Sequence, residues 1–266
     1  MPDNLLADIQ ARTEKYWDDL TSDYQEATRI SVHDFHYGPL LPGDKELQLL
    51  NRPLEGLRCL ELGCGAGQNS IFLAKHGATC TAIDVAEKQL EHGRQLADVE
   101  NTNVEYRQGD LDSLSEPSQW DLVHSTYALP FSTNPVDAIA RMAAAVRPGG
   151  QLLLTTGHPL FAGEWLEVEE EGEGMFIRDY FCPPLDPRFT ESGDLAGARQ
   201  MPVSAILQAV IDAGLTVSRV LEPEPIPLPD LTEPTLVPYY SEAWAELYPQ
   251  IAKVPVVLTV QARKQD

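Results

Sequence analysis

A chain of 266 residues, 43% of them hydrophobic, is long enough for one domain with insertions, or one domain with a small cap, around a sizeable core. Its formal net charge of −22, from 41 acidic and 19 basic residues, repels phosphate backbones and makes nucleic acid a poor partner. No apolar run approaches the roughly 18–20 residues needed to span a membrane, and residues 1–4 begin no basic-then-apolar secretory signal, so the cytoplasm is the expected location.

In chain order, residues 5–20 read as a helix with Leu5, Leu6, Ile9, Tyr16 and Trp17 at apolar positions. The loop Ser31-Val32-His33-Asp34-Phe35-His36-Tyr37-Gly38-Pro39 follows, and residues 47–50 read as the end of a short second helix. From residue 57 short apolar runs alternate with amphipathic stretches. Strands are expected at 57–62, 79–83, 104–108, 120–124 and 151–155. Helices are expected at 69–76, stopped by Gly77, at 87–98, and at 136–146, ended by Pro148-Gly149-Gly150. Such alternation implies right-handed crossovers and a parallel sheet covered on both faces.

Regularity then breaks over residues 157–200, which hold Trp165, Phe176, Tyr180 and Phe181, a Pro183-Pro184 pair, and six glutamates between positions 164 and 173. The glutamate run reads as a solvated loop. The aromatic content reads as a cap over a site. A helix at 203–213, a strand at 215–221, a proline-rich insertion from Pro223 to Pro249 and a final strand at 254–262 complete the chain. Cys59, Cys64, Cys80 and Cys182 form no C-x-x-C pair and no zinc-like spacing; Cys59 and Cys80 read as small buried hydrophobes, and no disulfide framework is expected.

The chemistry-bearing motifs sit at strand ends. Glu61-Leu62-Gly63-Cys64-Gly65-Ala66-Gly67 lies between an apolar strand and a helix. Glycines there permit a sharp turn and close ligand approach, and the helix N-terminus offers free N–H groups. The spacing fits neither the nicotinamide fingerprint G-x-G-x-x-G nor a P-loop. Asp84 ends the second strand, where a carboxylate can accept from two vicinal ribose hydroxyls; the competing role is a helix N-cap. Asp110, in Gly109-Asp110-Leu111, ends the third strand, where it can accept from an exocyclic amino group. His124-Ser125-Thr126-Tyr127 ends the fourth, and the turn Arg147-Pro148-Gly149-Gly150 precedes the fifth.

Taken in order and at this spacing, the five signals resemble a class I S-adenosylmethionine-dependent methyltransferase of the small-molecule, quinone-biosynthesis-like branch. The resemblance covers residues 57–156 well and 201–264 more loosely. It implies an α/β fold with a Rossmann-like seven-stranded, mostly parallel sheet whose last strand is antiparallel. It also implies a helical lid at 1–50 and a cofactor-binding domain at 51–266, with cap insertions at about 157–200 and 223–252. The cofactor would be S-adenosyl-L-methionine. Glu61, Gly63, Cys64, Gly65 and Gly67 would hold its methionine portion, Asp84 its ribose, Val85, Asp110 and Leu111 its adenine, Ser125 would lie near the methyl group, and Asn69 would also bind the cofactor.

The acceptor is narrowed by exclusion. The sequence after strand four lacks the Asn/Asp-Pro-Pro-Tyr/Phe motif of amino-methylating DNA enzymes, and no Pro-Cys nucleophile of the cytosine C5 type is present. A small molecule under an aromatic cap remains, in a site that excludes water and selects by shape. His158, in Gly157-His158-Pro159 on the ligand edge of the sheet, is the candidate general base; a structural loop histidine is the alternative. Tyr24, His36, Tyr37 and Tyr127 are the expected acceptor-pocket residues. His33 and His36 could pair on a metal, but no third ligand is evident and none is assigned. A non-catalytic S-adenosylmethionine-binding regulator and a nicotinamide-dependent oxidoreductase are the competing functions. Oligomeric state is left open.

Overall fold

The apolar runs of the sequence become neighbouring strands of one sheet in a computed structural model, which describes residues 3–50, 52–168, 172–189, 195–227 and 237–266. The strands are β1 (Arg58–Leu62), β2 (Thr79–Asp84), β3 (Val104–Gln108), β4 (Trp120–Thr126), β5 (Val146–Gly157), β6 (Leu215–Leu221) and β7 (Val257–Lys264). They lie in the order β6-β7-β5-β4-β1-β2-β3. Strands β1 to β5 pair in parallel, whereas β7 runs antiparallel to both β5 and β6, between which it is inserted. The Rossmann-like architecture with its antiparallel last strand is therefore present.

Side chains alternate across a strand, so each β segment feeds two cores. Leu60, Leu62, Val123, Leu152 and Leu154 face α4 (Pro135–Ala145) and α5 (Val203–Asp212), against Ile139, Met142, Ile206 and Val210. Cys59, Cys80, Leu122 and Leu153 face the other way, against Phe72 and Leu73 of α2 (Gln68–Lys75) and against Phe35, Tyr37 and Leu49. Burying each such leucine or phenylalanine contributes roughly 1.5–3 kcal/mol. Helix α3 (Glu87–Val99) packs on β3, and α1 (Asp3–Ala27) lies against α3.

The structure departs from the sequence reading at several boundaries. Helix α1 extends to Ala27 rather than ending near residue 20. The short helix before β1 is the single turn Asp44–Leu47; Phe35, Tyr37 and Leu49 around it pack in the core on the α2 face of the sheet, and Leu40 and Leu41 in a separate cluster with Val237, Ile251 and Val257. Strand β5 begins at Val146: Trp120 pairs with Val146 and Leu122 with Gln151, so the Arg147–Gly150 turn is an out-of-register bulge inside the strand. The stretch expected to be irregular contains two hairpins, Glu164–Val168 with Gly172–Phe176 and Asp186–Phe189 with Leu195–Ala198. Strand Leu195–Ala198 packs along α1. In the second insertion Tyr239–Ser241 pairs antiparallel with Thr28–Ile30. Residues 169–171 and 190–194 of the first insertion, 228–236 of the second, and Asn51 at the expected domain boundary lie outside the described residues.

Candidate functional site

The C-terminal ends of β1, β2, β3 and β4 converge on the glycine loop. Gly63 and Gly67 have φ of 63° and 71°, and both are also sterically reserved. A Cβ at Gly63 would lie 2.1 Å from the Ala128 Cβ, and one at Gly67 would lie 2.9 Å from the Tyr106 ring. Tyr106 donates its hydroxyl to the Ala66 carbonyl at 3.2 Å and so buttresses the loop from β3. The loop glycines thus set the turn and let β4 and β3 close against it.

Glu61, the last residue but one of β1, is only 3% exposed. Its Oε2 accepts from the Ser70 N–H at 3.0 Å and the Ser70 hydroxyl at 2.6 Å. Burial raises its pKa to about 7, against the lowering effect of the two Ser70 bonds. Its Oε1 lies 3.9 Å from Nδ1 of His124, its register partner on β4. His124 is fully buried with neither ring nitrogen hydrogen-bonded in the protein. Burial, and to a lesser extent His36, hold it neutral, with a pKa of about 3.

Asp84 ends β2. One oxygen accepts from the Gly65 N–H at 2.7 Å and the other from the Ala86 N–H at 2.9 Å. It clamps the glycine loop and holds the turn that leads into α3, whose N-cap is Ala86. Burial is the main cause of its raised pKa, partly offset by those N–H bonds. Asp110 caps the single turn Leu111–Ser113 by accepting from the Asp112 N–H at 2.8 Å. Val85 is half-buried, and its carbonyl accepts from Gln108 at 3.0 Å.

Helix α1 covers these strand ends and touches them with polar groups. Gln25 donates to Gln89 at 2.8 Å and accepts from Gln68 at 3.2 Å, bridging α2 and α3. Asp18 accepts from the Lys88 N–H at 2.9 Å, and Glu14 from Gln108 at 3.3 Å. Trp17 packs edge-on against Phe131, with centroids 5.3 Å apart. The Tyr24 hydroxyl meets that of Tyr239 at 2.8 Å.

Several expected site residues have other partners. Asn69 is fully buried, and its amide both accepts from the His36 N–H at 2.9 Å and donates to the His36 carbonyl at 3.1 Å; it pins the N-terminal loop. The buried Ser125 hydroxyl donates to the Leu62 carbonyl at 2.8 Å and ties β4 to β1. The Cys64 thiol donates to the Gly65 carbonyl at 3.2 Å. Tyr37 does not join the pocket. Its ring packs on Phe35 in the core, and its hydroxyl donates to Asp44 at 2.5 Å, because Phe35 and Tyr37 share the inward side of the segment. His36 packs edge-on against Tyr239 at 5.5 Å with Nδ1 buried and unpartnered, whereas His33 lies on the surface beside Lys75.

His158 is 2% exposed and its ring is fully engaged. Nδ1 accepts from the Leu160 N–H at 3.2 Å, which places the proton on Nε2, 2.9 Å from a Glu222 oxygen. As placed it caps the turn Pro159–Ala162, and neither nitrogen has a lone pair free for an acceptor. Burial lowers its pKa, and Glu222 partly restores it. Sequence reading missed Gln25, Gln89 and Tyr239, all in contacts between distant segments that leave no local pattern.

Comparison with known proteins places this geometry. The family model described as a methyltransferase domain matches residues 59–150, the stretch holding Glu61, the glycine loop, Asp84 and Asp110. The ubiquinone biosynthesis O-methyltransferase of Methylocella silvestris is 38% identical over 106 residues, 40% of this chain and 41% of that protein. The enzyme of the same description from Pseudomonas fluorescens is 33% identical over 156 residues, 57% of this chain and 61% of that protein. The match spans less than two thirds of either relative. A solved S-adenosylmethionine-dependent methyltransferase from Mesorhizobium loti superposes with a TM-score of 0.64 at 26% identity, covering 83% of this chain and 96% of that one.

Proposed function

We propose that this chain, which belongs to the class I S-adenosylmethionine-dependent methyltransferases, methylates an oxygen of a small-molecule acceptor. The observation that carries the reading is the Glu61 carboxylate on the N-terminus of α2, where its Oε2 takes the Ser70 N–H. A helix N-terminus normally attracts phosphate. Here the protein's own carboxylate fills part of it, and Asp84 lies close by, so a pyrophosphate would meet like charge. A ligand rich in donors and positive charge fits instead. The cofactor has an α-ammonium, vicinal ribose hydroxyls and an adenine amino group for Glu61, Asp84 and Asp110.

S-adenosylmethionine supplies a methyl group already activated on a sulfonium, so the chain's task is alignment and exclusion of water. Asp84 and the glycine loop fix one end of the cleft through the bond to Gly65. Helix α1 closes it from above through Gln25, Asp18 and Trp17. Tyr24, His36 and Tyr127 border the acceptor side. His158, held by Leu160 and Glu222, would have to release the Leu160 N–H from Nδ1 before that nitrogen could take a proton. The O-methyltransferase activity of the quinone-biosynthesis relatives supports oxygen as the acceptor atom.

Calorimetry with S-adenosylhomocysteine and with NADH tests the reading. The wild type should bind the former and not the latter. Asp84→Asn, which keeps the side chain's volume, should weaken S-adenosylhomocysteine by roughly 30-fold or more, from the loss of charge-assisted hydrogen bonds. Binding of NADH alone would overturn the assignment. Tight cofactor binding without turnover of any phenolic acceptor would favour a non-catalytic binding protein.

A further inference from the structure

A buried histidine normally finds hydrogen-bond partners for its ring. His124 of β4 is 0% exposed, and neither ring nitrogen has one. Its ring meets that of Phe35, with centroids 5.2 Å apart. Its register partners are Leu153 on β5 and Glu61 on β1. Packing alone would be met by a leucine or a phenylalanine at this position. An imidazole there costs about 1–3 kcal/mol for each polar group left unsatisfied, so its nitrogens require a polar neighbour.

Glu61 is that neighbour, and its two oxygens are used unequally. Oε2 takes both Ser70 donors, the N–H at 3.0 Å and the hydroxyl at 2.6 Å. Oε1 accepts from no donor recorded among the described residues, and it lies 3.9 Å from Nδ1 of His124. That separation is about 1 Å longer than a hydrogen bond, and a small rotation of the carboxyl closes it.

No cation among the described residues balances this carboxyl. Its titratable and polar neighbours are Ser70 from α2, Asp84 and Cys80 from β2, Cys64 from the glycine loop and Tyr106 from β3. On the far side of His124 stands His36, which burial keeps neutral with a pKa of about 4. A carboxyl buried in this company keeps its proton up to about pH 7. With Oε2 taken by two donors, the proton belongs on Oε1. The imidazole it faces is neutral and has one lone pair to offer.

We propose that His124 is a positioning residue for cofactor capture: before the cofactor arrives its Nδ1 accepts the acid proton on Oε1 of Glu61, and the cofactor's ammonium must displace that proton to bind. The inference rests on the methyltransferase reading, in which Glu61 meets the α-ammonium, and adds a proton step and the residue that governs it. The Glu61 O–H bond breaks, its electron pair stays on Oε1, and the proton leaves to solvent. Oε1 then turns from His124 to the ammonium. No oxidation or reduction takes place. Affinity for the cofactor therefore climbs about tenfold per pH unit while Glu61 is protonated, and levels off once it is ionised.

The test is calorimetry of S-adenosylhomocysteine binding to the full chain, in paired buffers of unequal ionisation heat, from about pH 5.5 to about pH 8. Wild type should release about one proton per ligand at the acid end and few at the alkaline end, with a midpoint near 7. His124→Phe removes the acceptor and should lower that midpoint by about one pH unit, the effect of losing one hydrogen bond to the acid form. His124→Leu serves the same purpose if His124→Phe does not fold. His124→Asn keeps an acceptor close to the Nδ1 position and should hold the midpoint near the wild-type value. A purely structural role would weaken binding equally at every pH and leave the midpoint in place. Absence of proton release from wild type, release that persists in Glu61→Gln, or an unchanged or raised midpoint without the imidazole overturns the proposal. Failure to bind S-adenosylhomocysteine at any pH would instead sink the broader methyltransferase reading.

Discussion

Glu61 shows what the cofactor site costs the fold. Its carboxylate is buried beside a neutral histidine, and only Ser70 compensates it. With a folded-state pKa of about 7 against an ordinary 4.5, the folded protein holds a proton that the unfolded chain has already released. The sign follows. This residue's contribution is most favourable below about pH 4.5 and is lost as pH rises towards 7, by about 3 kcal/mol in total. Glu61→Gln keeps an oxygen for Ser70 and removes the titration. Its stability relative to wild type should rise by about that amount between pH 4.5 and 8 in chemical denaturation, while its affinity for S-adenosylhomocysteine falls. A pH-independent difference would show that Glu61 is solvated.

At the scale of elements, the N-terminal segment divides by function. The apolar side chains at 35–41 are core: Phe35 is fully buried against Tyr37, Phe72 and His124. Phe35→Ala should cost about 3–5 kcal/mol in an unfolding titration. Helix α1 is held over the cleft by side-chain bonds such as Gln25–Gln89 and Tyr24–Tyr239. Its amides between residues 13 and 27 should exchange with deuterium more slowly once S-adenosylhomocysteine is bound, with little change in β1 or β4. Equal protection with and without ligand would show α1 to be permanently docked.

The same division explains what was legible in the sequence. Strands β1 to β4 were readable because each is a short apolar run bounded by turn residues. Glu61, Asp84 and Asp110 were readable because they end those runs. The hairpin Glu164–Phe176 was not readable, because its strands carry glutamates and glycines rather than an alternating apolar face. Asn69 and Ser125 stand at the expected positions, but rotamer and partner decide their work, and sequence does not encode these locally. Tyr239 sits in a proline-rich stretch without periodicity, and its partner Tyr24 is 215 residues away.

At the scale of the molecule, charge and topology dominate. A net charge of −22 makes the folded surface repel itself, and salt screens that repulsion. The melting temperature at neutral pH should rise from low salt to about 1 M NaCl, where the Debye length is about 3 Å. A falling or flat curve would mean that favourable ion pairs outweigh the excess charge. The position of β7 has a different consequence, one of timing. Strand β6 touches the rest of the sheet only through β7, which lies between it and β5. During synthesis β1 to β5 can pair in the order they emerge, but β6 has no neighbour to join until residues 257–264 have left the ribosome. For that interval β6 and the open edge of β5 are unpaired. A nascent chain stalled before residue 257 should therefore be captured by chaperones far more readily than one stalled beyond it.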